Sequence, residues 1–283
     1  MKIISSPSEI NHLCNNLKLE GKTIGLVPTM GALHDGHLSL IKRAKKENEI
    51  CIVSVFVNPT QFNNAKDLET YPRDLNKDAT LLETVSCDYL FAPKADEIYS
   101  EEEKNTTFKF DFQGLDKVME GPRRPGHFNG VVQIVSKLFT LIQPHKAYFG
   151  EKDFQQVAII RLMTQTMKFD IEICPCPILR AENGLALSSR NELLTENEKQ
   201  IATNIFHVLN ESKTKTDKLS VKELINWVEN ELNAIQPLQV EYYEIVDGTT
   251  LQPISSWNET NDIVGCITVY CGNVRLIDNI RYK

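Results

Sequence analysis

The chain has 283 residues, 41% of them hydrophobic and 24% charged, with a formal charge of −7 and a pI near 5.5. That length suffices for a substantial core without covalent staples and suggests one large or two moderate domains; the acidic balance excludes a broad nucleic-acid surface, which needs a net basic footprint. Seven cysteines at no disulfide-like density, no apolar run of membrane-spanning length, and a start (Met1-Lys-Ile-Ile-Ser-Ser-Pro7) without a leader's apolar core predict a cytoplasmic protein with reduced thiols and no membrane contact.

An amphipathic helix is expected over 8–19, with Ile10, Leu13, Cys14 and Leu17 on one face, Ser8 as N-cap and His12 solvated. The apolar run 23–27 reads as a buried strand, and 38–46 has helical spacing. Between them lies Val27-Pro-Thr-Met-Gly-Ala-Leu-His-Asp-Gly-His37. Its His-Asp-Gly-His cluster therefore sits where a strand's carboxyl end turns into a helix, the place where open α/β sheets bind ligands. A helix start offers unpaired N–H groups to a phosphate. Gly31 and Gly36 let a backbone approach a nucleotide closely, and His34 and His37 can donate to a phosphate chain whose charge redistributes in reaction.

Residues 50–57 are β-branched and almost continuously apolar, as in a parallel strand covered on both faces. They end in Asn58-Pro-Thr-Gln-Phe62, whose Asn58 and Gln61 either contact substrate hydroxyls or cap the loop. A polar, mobile stretch is expected over 63–71, then a helix over 75–84 with Leu75, Leu81 and Leu82 inward, then a strand at 88–93. Phenylalanines alternating with polar residues over 107–112 predict a half-exposed strand. Met119 to Phe128 is a loop stiffened by two prolines and two glycines, with a helix following to Ile142. Residues 146–149 form a short strand; Gly150-Glu-Lys-Asp-Phe-Gln-Gln156 then opens a helix with charged groups placed for a ligand. The run 171–176 is another strand, in which Cys174 and Cys176 are core residues rather than metal ligands. In Leu187-Ser-Ser-Arg-Asn191, two hydroxyls and a guanidinium are suited to phosphate oxygens.

From there the texture changes. Thr195-x-x-Glu198 and Ser220-x-x-Glu223 are capping boxes that open two helices, with a solvated lysine-rich loop between them. Strand-like runs at 240–246, 263–271 and 274–277, the last two joined by Gly272-Asn273, suggest a small α+β domain.

Together with Phe56–Phe62, Tyr71-Pro-Arg73, Glu120–Phe128, Phe149–Gln156 and Leu276-Ile-Asp-Asn-Ile280, these motifs resemble the pantoate–β-alanine ligase family along almost the whole chain. The HxGH cluster alone is shared by many nucleotidyltransferases; the ordered set is specific. The resemblance implies a Rossmann-like α/β domain over 1–180, with helices on both faces of a parallel sheet, that binds ATP and pantoate. It implies a C-terminal α+β lid domain over 181–283 and a homodimer. The implied reaction condenses pantoate with β-alanine through a pantoyl adenylate, with ATP as co-substrate and Mg2+ accompanying it.

By match to the family's motifs, His34, His37, Lys152, Ser188, Ser189 and Arg190 are catalytic, with His37 as proton donor. Met30, Gly31, Ala32, Leu33, His34, Asp35, Gly36 and His37 form the ATP-binding turn. Gly150, Glu151, Lys152, Asp153, Leu179, Leu187, Ser188, Ser189 and Arg190 complete the nucleotide site: Gly150 and Asp153 meet the ribose, and the backbone near Leu179 meets the adenine. Gln61 and Gln156 orient pantoate, with Asn58 supporting their loop. Glu120, Arg124 and His127 hold the 119–128 loop. No protein metal ligand is assigned: Asp78 matches an acidic position associated with magnesium, but Lys77 stands where relatives often carry a second acid. Arg123 departs from the small residue of some relatives and is given no role.

Overall fold

The computed structural model describes residues 1–62, 65–105 and 108–283. In chain order the elements are β1 (Lys2–Ile4), α1 (Pro7–Leu19), β2 (Ile24–Thr29), α2 (Asp35–Glu47), β3 (Ile50–Val55), α3 (Ala65–Thr70), α4 (Leu75–Thr84), β4 (Tyr89–Phe91), α5 (Ala95–Ile98) and α6 (Glu101–Asn105). They continue with α7 (Glu120–Arg123), α8 (His127–Ile142), β5 (Lys146–Gly150), α9 (Phe154–Thr166), β6 (Glu172–Cys176), α10 (Glu196–Ser212), α11 (Val221–Asn233), β7 (Leu238–Asp247), β8 (Ile263–Cys271) and β9 (Val274–Arg281).

The chain divides into two compact units. Unit 1 is Met1–Asp116, Gly121–Glu151 and Gln156–Cys176; unit 2 is Lys117–Glu120, Lys152–Gln155 and Pro177–Lys283. The main division thus follows Cys176, four residues before the expected boundary, and two short segments from earlier in the chain join unit 2. Their polar groups explain why. Met119 N–H donates to the Glu244 carboxylate (3.3 Å), and the Gln155 amide binds Glu120 N–H and Val118 C=O at 3.0 and 2.9 Å.

Unit 1 is built on a six-stranded sheet of order β1-β4-β3-β2-β5-β6, with every pair parallel. Ile24, Leu26, Val27, Cys51, Ile52 and Val53 are fully buried, which is why their strands read as unbroken apolar runs. From β2 the chain fills the sheet outward through β3 and β4, then crosses to β5 and β6 on the other side. The carboxyl end of β2, beside β5, is therefore a topological switch point.

Several expectations need correction. Ser6, not Ser8, caps α1: its hydroxyl accepts from Glu9 N–H, and Pro7 stands at the first helical position. Leu75 is 40% exposed rather than inward. Residues 65–70 form helix α3 within the stretch expected to be polar and mobile, for which no helix was predicted; Asn63 and Asn64 lie outside the described residues. Thr107 also does, and Phe108 to Phe112 pair with no strand among the described residues. Burial still alternates there, with Phe112 at 5% exposure against Phe128, because alternation reports an extended backbone and not a hydrogen-bonded partner. The short β1, α5 and α6 escaped a periodicity argument that needs longer windows.

Unit 2 packs α10 and α11 on the antiparallel sheet β7-β8-β9. Both expected capping boxes are present, at Thr195/Glu198 and Ser220/Glu223. All seven cysteines are free and buried, including Cys174 and Cys176 in β6 as expected.

Candidate active site

In unit 1 the centre is the turn from β2 into α2. Gly31 has φ +82° and Ala32 φ +51°, so the chain makes two successive left-handed steps, which only glycine adopts without strain. A Cβ on Gly31 would lie 2.8 Å from Asp78 Oδ2 and 3.0 Å from Val55. The Asp78 carboxylate, 2% exposed, holds the turn: Oδ1 accepts Leu33 N–H at 2.8 Å and Oδ2 accepts Ala32 N–H at 3.1 Å. Burial pushes its pKa up, against the pull of those two donors. Asp78 is thus committed to backbone groups and acts as a clamp on the turn.

The helix then opens on a capping box made of imidazoles. His34 is the N-cap, its Nδ1 accepting Gly36 N–H at 3.1 Å, and His37 Nδ1 accepts His34 N–H at 3.4 Å. The rings lie 4.1 Å apart, tilted by 44°. With both Nδ1 atoms as acceptors, each neutral ring carries its proton on Nε2. The same imidazoles that present Nε2–H also satisfy the helix's first donors.

At the end of β3, Asn58 is 1% exposed and fully engaged. Its amide donates to Gln61 Oε1 and Gly130 C=O, and its Oδ1 accepts from the Thr60 and Tyr99 hydroxyls at 3.1 and 2.8 Å. Asn58 therefore caps the 3-10 turn Pro59–Gln61 with a side-chain amide whose nitrogen and oxygen both have protein partners. Gln61 places its amide beside Met30 Sδ. Helix α8 approaches so closely that a Cβ on Gly130 would sit 2.4 Å from Thr60 O, and His127 Nδ1–H donates to Gln61 C=O at 2.8 Å.

Gly150 ends β5, the neighbour of β2, and a Cβ there would meet nothing within 4 Å; packing does not demand this glycine. Glu151 follows. On α9, Gln155 is buried and fixed by its backbone partners, whereas Gln156 is half-exposed.

Unit 2 holds the remaining expected residues. Lys152, its side chain 17% exposed, lines a cavity with Ser188, Asn191, Phe206 and Asp278; Asp153 is exposed, 3.9 Å from Lys152 Nζ. Residues 179–187 form a narrow hairpin in which Arg180 bridges Ala186 and Leu187 N–H donates to Leu179 C=O. It leads into the 3-10 turn Ser189–Leu193, where Ser188 Oγ accepts Arg190 N–H at 3.3 Å.

The ion pairs that hold unit 2 were not read from the sequence. Arg180 makes a bidentate pair with Asp278 at 2.6 and 2.8 Å and stacks 4.0 Å over the Phe206 ring. Arg275 grips both Glu120 oxygens at 2.8 Å and also binds Glu241, while the Tyr242 and Thr268 hydroxyls donate to Glu120. Burial opposes the charge on Arg275, but the two carboxylates outweigh it and raise its pKa. Glu120 and His127 thus hold the 119–128 segment, as expected.

The pantoate-beta-alanine ligase family model matches residues 2–281. Pantothenate synthetases of Bacteroides fragilis and Porphyromonas gingivalis are 55% and 52% identical over 283 residues, with 100% of this chain and 99% and 100% of the relatives covered. The structure is similar to the crystal structure of pantothenate synthetase from Thermus thermophilus, with a TM-score of 0.92 at 38% identity over 100% of this chain and 99% of that one. It is also similar to a pantoate-beta-alanine ligase from Francisella tularensis complexed with beta-gamma ATP and beta-alanine, with a TM-score of 0.82 at 36% identity over 100% and 98%. Among the described residues, no helix is long and apolar enough to cross a membrane.

Proposed function

This chain belongs to the pantoate–β-alanine ligase family, and from that premise we infer that it condenses (R)-pantoate with β-alanine, driven by ATP, through an acyl adenylate. A carboxylate is a poor acyl donor because its leaving group would be oxide. Attack of a pantoate carboxylate oxygen on the α-phosphorus forms a mixed anhydride and expels pyrophosphate. The amine of β-alanine then attacks the acyl carbon, the bond to AMP breaks, and the nitrogen loses a proton to give the amide.

The first step is chiefly a matter of positioning and charge neutralisation. In our reading the turn from Met30 to His37 receives the nucleotide, with the amino end of α2 and the two Nε2–H groups directed to the phosphates and His37 donating the proton. The observation that carries this is the imidazole capping box, in which both rings accept through Nδ1, so that in the neutral ring the proton is on Nε2. Lys152, Ser188, Ser189 and Arg190 hold the phosphates that leave as pyrophosphate. Gly150, Glu151 and Asp153 serve the ribose side, and the Leu179 and Leu187 backbone the base. Gln61 and Gln156 orient pantoate, while Asn58 positions Gln61 and Asp78 the nucleotide turn.

Both Asp78 oxygens already accept backbone N–H groups, and magnesium would enter with the triphosphate, held by phosphate oxygens and water. The family reading further implies a homodimer in the cytoplasm.

The test is product analysis with ATP, magnesium and pantoate, with and without β-alanine. Pyrophosphate and an acyl adenylate are expected without β-alanine, and AMP and pantothenate with it. Pyrophosphate release with some other acceptor but none with pantoate would overturn the reading.

A further inference from the structure

The Leu276–Ile280 motif was part of the resemblance but has no role in the reaction above. We infer that its consecutive pair, Asp278 and Asn279 on β9, are positioning residues for the triphosphate: each fixes one of the two unit 2 segments that carry phosphate-holding side chains. This rests on the reading of Lys152, Ser188, Ser189 and Arg190 just given.

Both side chains are nearly buried, at 5% and 9% exposure, on a strand registered against β8 by the pairs Ile267↔Asp278 and Cys266↔Asn279. Asp278 reaches the hairpin. Its carboxylate takes the bidentate guanidinium of Arg180 and accepts Asn279 N–H at 2.8 Å. Arg180 passes the constraint on: NH1 also donates to Gly184 C=O at 3.3 Å across the hairpin turn, and the guanidinium is pressed on Phe206. Gly184, at φ +90°, admits no Cβ beside that ring, which would lie at 2.5 Å. The far arm is tied in turn to the Ser-Ser-Arg segment by Asn191 Nδ2–H to Ala186 C=O at 2.9 Å. Asn279 reaches the other segment, its Nδ2–H donating to Lys152 C=O at 3.2 Å. Lys152, Ser188 and Asp278 then line the same cavity.

The chemistry of the pair matches the task. A planar carboxylate–guanidinium fork sets orientation as well as distance, so it registers a whole hairpin. A single amide N–H onto a main-chain carbonyl fixes only the root of Lys152, leaving its stem to follow the phosphate. Aspartate at 279 could not do this, since its carboxylate would face the Lys152 carbonyl oxygen with no proton between them.

The experiment measures pyrophosphate release in the adenylate-forming step, with KM for ATP and for pantoate and the thermal midpoint, for Asn279→Ala, Asn279→Asp, Asp278→Asn, Arg180→Lys and Lys152→Ala. Misplacement of a phosphate-holding group by a fraction of an ångström predicts about a tenfold fall in kcat/KM for ATP in Asn279→Ala. Asn279→Asp should be worse, and KM for pantoate should stay within about twofold. Asp278→Asn should give a similar ATP-specific loss; should it fail to fold, Arg180→Lys weakens the same fork while keeping the charge. In the Lys152→Ala background, Asn279→Ala should add almost nothing, because it acts through Lys152, whereas Arg180→Lys should still cost its full amount. Equal losses for ATP and pantoate, a lowered midpoint with wild-type constants, or additivity of Asn279→Ala with Lys152→Ala would each overturn the inference. If Lys152→Ala itself behaves as wild type toward ATP, the phosphate reading fails instead, so the two failures are distinguishable.

Discussion

The histidine turn of unit 1 and the Ser-Ser-Arg segment of unit 2, both proposed to hold phosphate, rest on opposite kinds of support. In unit 1 the groups sit on the first turn of a thirteen-residue helix, and the constraints all act on that turn's backbone: two left-handed residues, an imidazole capping box and the buried Asp78 carboxylate on Ala32 and Leu33. In unit 2 they sit on a five-residue 3-10 turn, joined through Asn191 to a hairpin that the Asp278–Arg180 pair ties to β9. Sites braced by charge pairs depend on each partner, because the one left behind is buried and uncompensated.

That contrast can be broken at its weakest claim first. Arg275→Met leaves Glu120 buried without its cation and should destabilise unit 2 by about 3 kcal/mol or more, seen as a large fall in the denaturant midpoint; a shift of only a few tenths would show that the pair is dispensable. His37→Ala should slow pyrophosphate release by about 10²–10³-fold through loss of a preorganised donor. Its cost in stability should be only about 1 kcal/mol, the scale of a lost cap, measured by thermal unfolding of the same sample. Gln156→Ala should raise KM for pantoate about tenfold while leaving KM for ATP nearly unchanged, and equal effects would place Gln156 outside the pantoate pocket. The smallest effect is the pH dependence of the Asp78 clamp. Its folded pKa is raised by burial, so the folded chain binds that proton more tightly than the unfolded one. The linked contribution favours the fold below the ordinary carboxyl pKa of about 3.9 and is lost as pH rises through that value to the raised folded one. Asp78→Asn should flatten this segment of the stability profile, and an unchanged slope would remove Asp78 as its source.

The same contrast explains what was legible in the sequence. His34, His37 and Gly31 could be read because a strand, a turn and a helix within fifteen or so residues carry their own periodicities and stop signals. The capping boxes at Thr195 and Ser220 were legible for the same reason. Lys152, Ser188 and Arg190 could be picked out as ligand-type groups from their residue chemistry, but their individual roles came only through family resemblance. What fixes them lies far along the chain, with Arg180 and Asp278 separated by 98 positions and Asn279 and Lys152 by 127, and no local pattern encodes such pairs. Asn58 was ambiguous because an asparagine that caps a turn and one that grips a hydroxyl look alike until its partners are seen. The Phe108–Phe112 stretch misled in the converse way, having a strand's alternation without a neighbour to pair with among the described residues.

The buried thiols give the molecule a set of built-in reporters. Cys14, Cys51, Cys87, Cys174 and Cys176 belong to unit 1, and Cys266 and Cys271 to unit 2. Burial pushes Cys14 up to about 12 and Cys266 further still, so neither offers thiolate to an alkylating reagent while the surrounding fold is closed. Mass mapping of labelled peptides over time would therefore register the opening of each unit on its own clock, without any tag or substitution.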